Sequence, residues 1–389
     1  MRIAVVSPHL PTPAFPMRGV RHSEQLRAFA RAGHAVRGVV PLPWAPGRGA
    51  PAAERDGEIE IAHPRYLRVP PRWRRRAPVA GAGLALEQWA FSAAARAALD
   101  RPALRPEVVL AHSAILPGGL VGRTGGAQLV VTMHDHELYE LAPHGAWARR
   151  LLVQALRGAD AVVYVSETLR AQGLALAGPH EARVVPIGID TFDDLRAQPP
   201  AGGFTICCVT RLIPRKRVDR LIRAVGRLAS ELPQVRLRIA GDGPERQALV
   251  RLTSTLGLQE KIDFLGELDR RAALDEMARS SVMALPSVME SLGAVYFEAM
   301  SLGVPVLATA GEGIAAYIQS GVDGILVGAG DDEQLHAELR GLALDPARAQ
   351  RIGAAGRQRF LASGPTWQAN VASHLQLFDQ LLRKTRGRR

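Results

Sequence analysis

Pro286-Ser287-Val288-Met289-Glu290-Ser291-Leu292-Gly293-Ala294-Val295-Tyr296-Phe297-Glu298-Ala299-Met300-Ser301-Leu302-Gly303-Val304-Pro305 decides the reading of this chain. The apolar run 282–285 just before it reads as a buried parallel strand, which Pro286-Ser287 brings to a turn. Gly293 then precedes a helical pattern that ends near Gly303. Glu290 therefore falls in a loop at the carboxyl end of a strand, beside a helix amino terminus. In open α/β sheets ligands bind at that end, and a helix amino terminus favours phosphate. Glu298 lies about two turns into the helix and is able to point back toward the same crevice. One carboxylate suits the hydroxyls of a sugar, the other the ribose of a nucleotide.

Strand–helix alternation extends outward in both directions. Strand-like runs occupy 3–7, 35–40, 59–63, 108–112, 129–134, 161–166 and 184–185 in the first half, and 204–210, 235–241, 262–265, 282–285, 306–309 and 325–327 in the second. Helical patterns lie between them, such as 24–32 with Gly33 as its stop. Short β-branched runs separated by helices predict parallel sheets built from βαβ units. The expected organisation is an α/β chain with one Rossmann-like domain over 1–186, a linker over 187–203, a second Rossmann-like domain over 204–366 and a final helix within 367–389. Within the linker, periodicity is lost and Pro and Gly accumulate.

At 389 residues, 47% apolar and 22% charged, the chain is expected to be globular rather than disordered. Its two cysteines, Cys207 and Cys208, are adjacent on a strand-like run and point to opposite faces, which argues against a disulfide or a cysteine metal site. That fits a reducing cytoplasm. The opening Met1-Arg-Ile-Ala-Val-Val6 reads as a strand and not a signal peptide, and no apolar stretch reaches the ~20 residues of a spanning helix. Of the net charge of +12, residues 1–186 carry +9 (23 Arg against 14 Asp and Glu). Such asymmetry fits either a polyanionic partner or a codon bias toward arginine.

Thr210-Arg211-Leu-Ile-Pro-Arg-Lys216-Arg-Val-Asp219 comes after a strand and enters a helix. Arg211 and Lys216 in that position form a natural clamp for a diphosphate, bidentate from Arg and a point charge from Lys. Ala240-Gly241-Asp242-Gly243-Pro244-Glu245 ends the next strand as a tight turn, with Asp242 placed to cap the helical segment after it. In Thr132-Met-His134-Asp135-His136-Glu137, alternation puts His134 and His136 on one face, so a metal site is an alternative to an acceptor-side role for His134 or Asp135.

Taken with its flanks, the pair Glu290 and Glu298 followed by Ala299-Met300-x-x-Gly303-x-Pro305-Val306 resembles the signature of the family-4 retaining glycosyltransferases. The resemblance covers nearly the whole chain and is strongest from about 184 to 328. It implies the GT-B fold, two Rossmann-like domains facing across a central cleft, with the final helix crossing back to the first domain. It also implies transfer of a sugar from a nucleotide diphosphate donor, UDP-linked by expectation, to a hydroxyl acceptor in polysaccharide or glycoconjugate assembly. Arg211 and Lys216 match the cations of the family's Gly-Arg-Leu-x-x-x-Lys-Gly motif, although Thr210 and Arg217 replace its glycines. Arg211, Lys216, Glu290 and His112 are the implied catalytic set, His112 matching a family His that contacts the transferred sugar. Gly19, Gly243, Phe264, Leu292, Gly293 and Glu298 are the implied donor-binding set, Phe264 from the segment that meets the nucleobase. Arg18 keeps Gly19 company where relatives place two glycines, and with His134 and Asp135 it is an acceptor-side candidate. No metal and no other cofactor is expected, because side chains and a helix dipole serve the leaving group.

Arg72-Trp73-Arg74-Arg75-Arg76 fits an anionic membrane surface or a phosphate-bearing acceptor, so the enzyme is expected in the cytoplasm, peripheral on the inner membrane face, with a lipid-linked acceptor. Nucleic acid is not an expected partner. Two rival readings are a UDP-sugar epimerase of the same fold, which consumes no acceptor, and a non-catalytic polyanion-binding protein, which turns over no nucleotide sugar.

Overall fold

The computed structural model describes residues 1–10, 19–44, 53–69, 80–101, 105–120, 124–134, 137–141, 145–192, 194–200 and 202–387. Arg18, Asp135, His136 and the run Arg72-Trp73-Arg74-Arg75-Arg76 lie outside the described residues. The chain divides into two compact units, Met1–Gly188 with Trp367–Arg389, and Ile189–Thr366.

The first unit contains β1 (Arg2–Val6), β2 (Ala35–Val39), β3 (Leu42–Pro43), β4 (Ala53–Asp56), β5 (Ile59–Ala62), β6 (Arg65–Tyr66), β7 (Val108–His112), β8 (Gln128–Met133), β9 (Ala161–Tyr164) and β10 (Ala182–Val184). Eight of them form one sheet in the order β10-β9-β8-β7-β1-β2-β5-β4, while β3 and β6 pair separately. All neighbours in the large sheet are parallel except β4 on β5. The central strands carry runs such as Val108-Val-Leu-Ala-His112 that are buried on both faces, which is what a parallel sheet covered by helices requires. The short strands β3, β4 and β6 have no counterpart in the sequence reading: each is too short or too polar to register as a periodic run.

The final helix, Trp367–Arg386, belongs to this first unit. Its Val371, Leu377, Phe378 and Leu381 join one core with Leu26 and Phe29 of the helix Val20–Arg31. Asn370 ties the two helices: its Oδ1 accepts from Gln25 Nε2 at 2.8 Å, and its Nδ2 donates to the Pro186 carbonyl at 2.6 Å. A buried amide pair of this kind is tolerated because both members are hydrogen-bonded.

The second unit contains β11 (Phe204–Val209), β12 (Val235–Ala240), β13 (Ile262–Gly266), β14 (Val282–Ala284), β15 (Val306–Thr309) and β16 (Ile325–Val327), ordered β13-β12-β11-β14-β15-β16 and parallel throughout. Counted from β11 this is the 3-2-1-4-5-6 order of a doubly wound sheet, which reverses direction between β11 and β14. Part of the stretch read as a linker is held by this unit: Ala197 N donates to the Leu302 carbonyl at 2.9 Å and Gln198 N to that of Ala278 at 2.6 Å.

Candidate active site

In the second unit the two loops that leave the switch point are the ones the sequence singles out. The loop after β11 carries Arg211 and Lys216, and the loop after β14 carries Glu290. They are laced together by backbone and side chain. Val288 N donates to the Arg215 carbonyl at 2.8 Å, and Arg215 Nη1 returns a bond to the Met289 carbonyl at 3.0 Å. At their centre Lys216 Nζ pairs with Glu290 Oε2, and both side chains are almost fully buried. Ser287 Oγ also donates to that oxygen at 3.2 Å and lies 3.2 Å from the Tyr296 hydroxyl, which itself donates to the Leu285 carbonyl at 2.7 Å. Burial and the nearby Glu290 push the Tyr296 phenol well above its ordinary range, so it stays a donor.

Glu312, which the sequence reading missed, sets the backbone of the second loop. Its Oε1 accepts from Met289 N at 3.0 Å and its Oε2 from Glu290 N at 2.6 Å. Burial first, and repulsion from Glu290 after it, raise the Glu312 carboxyl above its usual value against the opposing pull of those two amides. Its signal was present: Glu312 comes just after β15, the next strand over, at the same carboxyl end. Arg215, to which the sequence reading gave no role, is a staple between the loops.

The other second-unit candidates sit around this pair. Arg211 is exposed at the head of its loop. The turn carrying Gly243 presses on that loop so closely that a Cβ at Gly243 would stand 2.3 Å from the Leu212 carbonyl oxygen. The sequence suggests Asp242 as a cap for the helix Arg246–Thr255, but that helix has no side-chain cap, and the Asp242 Oδ1 accepts from the adjacent Gly243 N at 2.6 Å. Leu292 is buried, and Gly293, at φ 74°, leads into the helix Ala294–Leu302, whose first turn has no side-chain cap. Phe264 is half-buried on β13. Glu298 is buried in the helix, and its Oε1 lies 3.4 Å from Arg270 Nε, whose Nη1 is 2.7 Å from Asp190 Oδ2. The Glu298 carboxylate thus begins a chain of charges that no local motif announces.

The first unit has its own reversal of strand order, between β1 and β7, and there a group of histidines gathers. His112 ends β7, His134 comes just after β8, and His22 lies on the helix Val20–Arg31 after Gly19. Gly19, at φ 74°, brings that helix start so near the β1 loop that a Cβ would fall 2.3 Å from the His9 carbonyl oxygen. His22 stacks on His112 with ring centroids 4.0 Å apart, and His112 Nδ1 lies 3.0 Å from His134 Nε2. Burial, then the neighbouring histidines, hold His112 well below its ordinary pKa and lower His22 to about 3. His374 of the final helix, lowered to about 4 by burial, faces the same group. These three, His22, His112 and His374, are neutral at neutral pH. The sequence reading found His112 and His134 but not His22 or His374, which sit on helices where a lone histidine carries no local pattern.

Backbone strain marks the same places. Among the described residues the non-glycine positions with positive φ are Ser113 (79°), Arg217 (49°) and Met289 (54°). They adjoin His112, Lys216 and Glu290. Such conformations persist only where the surroundings over-determine them, as at functional sites.

Comparison with known proteins bears on the family and the fold. Residues 191–359 match the family "Glycosyl transferases group 1", and residues 21–192 match "Glycosyltransferase Family 4". The chain is 32% identical over 273 residues to the GDP-mannose-dependent alpha-(1-6)-phosphatidylinositol monomannoside mannosyltransferase of Mycolicibacterium smegmatis, over 65% of this chain and 70% of that protein. It is 30% identical to a GDP-mannose-dependent monoacylated alpha-(1-6)-phosphatidylinositol monomannoside mannosyltransferase of Corynebacterium glutamicum, over 62% and 68% of the two chains. Among solved structures, sucrose-phosphate synthase of Thermosynechococcus elongatus superposes with a TM-score of 0.82 at 20% identity, over 99% of this chain and 100% of that one. HepE of Anabaena, solved in complex with UDP, superposes with a TM-score of 0.70 at 18% identity, over 98% and 100%. The fold is therefore GT-B, and the chain belongs to the family-4 glycosyltransferases, enzymes that transfer a sugar from a nucleotide-sugar donor.

Proposed function

We propose that this enzyme is a retaining mannosyltransferase that takes its sugar from GDP-mannose and passes it to a hydroxyl of a lipid-linked acceptor. The observation that carries the chemistry is the buried Lys216–Glu290 pair on the switch point of the second unit. An ammonium has three protons to donate, so Lys216 is able to keep Glu290 and also hold an oxygen of the leaving diphosphate. Arg211, exposed on the same loop, supplies the bidentate partner, and the uncapped start of the helix Ala294–Leu302 supplies backbone amides. Charge that develops on the diphosphate as the bond from sugar C1 to phosphate oxygen breaks is thereby stabilised. The acceptor oxygen bonds to C1 on the same face, and its proton passes to the departing phosphate oxygen. In this scheme Glu290 orients Lys216 and the sugar hydroxyls and is not a nucleophile, Glu298 meets the ribose, and His112 contacts the sugar. The transfer step calls on no metal.

The choice of donor rests on the relatives, whose names specify GDP-mannose, in place of the uridine donor expected from sequence. The lipid acceptor rests on those same names and on the surface of the first unit. Among the described residues no helix is long and apolar enough to cross a membrane. Trp44, Leu67, Leu86, Trp89 and Trp147, however, are each more than half exposed in the first unit. Interfacial tryptophans of this sort favour a bilayer surface, and we place the enzyme on the cytoplasmic face. A thermal-shift series with GDP-mannose, GDP-glucose, UDP-glucose and UDP-N-acetylglucosamine tests the donor, since a bound donor raises apparent stability by mass action. GDP-mannose should give the largest rise. A larger rise with a uridine donor would overturn the guanosine assignment. The anomeric configuration of the product, read by NMR, tests retention.

A further inference from the structure

We infer that the second unit carries a separate binding site for an amphipathic anion, one acyl chain with a carboxylate head, at the amino ends of its strands. A cavity of about 800 Å³ opens there, its lining drawn wholly from residues 196–357 of that unit. Phe204 begins β11, Val235 begins β12, Ser281 precedes β14 and Pro305 precedes β15, and all four line the space. Lys216 and Glu290 follow the carboxyl ends of β11 and β14, so this cavity is not the donor site. Ligand pockets run from about 300 to about 1,000 Å³, and a bare inorganic anion would leave most of this one empty.

Local sequence leaves this space open. Ala197 N and Gln198 N bond to the Leu302 and Ala278 carbonyls, and Pro199-Pro200, which line the cavity next, have no N–H to continue that ladder. On another side the helix Pro346–Ser363 presents Pro346, Ala349, Gln350, Ala354 and Arg357, spaced by helical steps along one face. This helix presses on the turn after Leu302, where a Cβ at Gly353 would stand 2.2 Å from the Gly303 carbonyl oxygen. Ala349 and Ala354 flank that contact and are too short to fill the gap. Phe204, Val235, Leu302, Pro305 and Leu342 give it buried apolar walls.

The lining selects the ligand. Apolar walls that face water are stabilised when hydrocarbon covers them. Phe204 is the single aromatic residue among the described ones here, so no pair of rings is available to hold a flat molecule, and a flexible aliphatic chain suits the Leu, Val, Pro and Ala surfaces. The charge is all positive: Arg196 and Arg357 line the space, and no Asp or Glu among the described residues does. Nearby carboxylates are engaged elsewhere. Asp345 caps the helix Pro346–Ser363 through Arg348 N, Glu231 meets Arg340 and His336, and Asp194 meets Arg271. Arg196 stands at the exposed rim, its Nη1 donating to the Phe192 and Leu195 carbonyls at 2.6 Å. Arg357 is half-buried with its stem along Gly303, and among the described residues no carboxylate pairs with it. A guanidinium fork matches a carboxylate in shape and in its single charge.

The test titrates the full chain with decanoate by calorimetry, beside 1-decanol as the uncharged chain and acetate as the head alone. Decanoate should saturate at one equivalent, with decanol and acetate each bound at least about 10-fold more weakly. Arg357→Gln should weaken decanoate binding by about 10-fold. Ala354→Phe, which sets a ring in the groove from an exposed helix position, should do the same or more. The double variant Trp89→Ser/Trp147→Ser in the first unit, and Lys216→Ala in the donor site, should leave decanoate binding unchanged. Circular dichroism checks that each variant folds, and Arg357→Gln keeps the proposal testable if Ala354→Phe does not. Equal decanoate affinity in the wild type, Arg357→Gln and Ala354→Phe, or a loss confined to the tryptophan variant, would overturn the site. Decanol or acetate bound as tightly as decanoate would overturn the amphipathic anion as its ligand. The binding readout stands whether or not the enzyme transfers mannose.

Discussion

Lys216 and Glu290 stand 74 positions apart in the chain and meet side chain to side chain, both almost fully buried, where the strand order of the second unit reverses. A buried pair of opposite charges is worth little to stability by itself, because desolvation offsets attraction, but losing one partner strands the other. Its value here lies in holding an ammonium at a fixed point. Lys216→Ala is expected to lower turnover by roughly 10²-fold or more, and Arg211→Ala likewise, as for loss of a charge that stabilises the transition state. The double variant Lys216→Ala/Glu290→Ala should be less impaired than the product of the two single effects, since the two groups act as a unit. Near-wild-type turnover in the Lys216 and Arg211 variants would reject the clamp.

The two glutamates of the quoted segment should separate in a binding assay. Glu298→Gln is expected to weaken binding of free GDP, whereas Glu290→Gln should spare that binding and depress transfer. Because Glu298 lies 3.4 Å from Arg270, the control is Arg270→Gln, which disturbs the same charge chain without touching the carboxylate. Calorimetry beside a turnover assay reads all three. Equal losses of GDP affinity from both glutamate variants would refute the division of roles.

Glu312 should behave as a positioning residue. It fixes the amides of Met289 and Glu290 and has no other assigned part. Glu312→Gln puts an NH₂ group against one of those amides, so turnover should fall about 10-fold or more through misplacement of Glu290. The wild-type carboxyl is raised above the ordinary glutamate value. As pH falls through that raised value it gains a proton and loses one of its two acceptor oxygens, and activity should decline there. The pH–rate profile of Glu312→Gln should lack that acid limb; an unchanged limb would assign it to another group.

Buried neutral histidines give the first unit a definite acid sensitivity. In the unfolded chain His22 and His374 titrate near 6.5; in the folded chain they titrate at about 3 and about 4. Below 6.5 the unfolded chain therefore takes up protons that the folded chain refuses, so stability falls as pH drops and keeps falling until the folded values are reached. Above 6.5 these groups contribute no pH dependence. Each proton difference costs about 1.4 kcal/mol per pH unit. Thermal midpoints measured from about pH 8 to about pH 4.5 should drop below 6.5 in the wild type and drop less steeply in His374→Phe. Parallel curves would show that His374 is not held neutral.

Membrane association has a direct assay. The enzyme should sediment with anionic vesicles at low salt and not with neutral ones, each basic group near the surface contributing about 1 kcal/mol. Changing Arg72, Arg74, Arg75 and Arg76 to glutamine, or Trp89 and Trp147 to serine, should weaken the binding. Protein that stays in the supernatant with anionic vesicles at low salt points to a soluble acceptor.

Much of this was legible before any coordinate. Buried parallel strands announce themselves as β-branched runs, because both their faces are covered, and that local pattern located the alternation of both units. The rule that ligands meet the carboxyl ends of such strands then pointed to Lys216 and Glu290, each just after a strand end, while His112 came from the family resemblance. Short spacing brought out Gly293 and Glu298 for the same reason: residues on one loop and its helix share a neighbourhood that chain connectivity enforces. The sequence by itself thus determined the fold class and the family, since both rest on local periodicity and contiguous motifs. The tertiary structure alone decided which loops touch. Glu312 reaches Glu290 from the next strand, Arg215 staples two loops, and His22 and His374 arrive from helices at opposite ends of the chain to face His112. Those contacts come from strand order and helix packing, and strand order is a property of how distant segments bury their apolar faces against one another, which no stretch of neighbouring residues encodes.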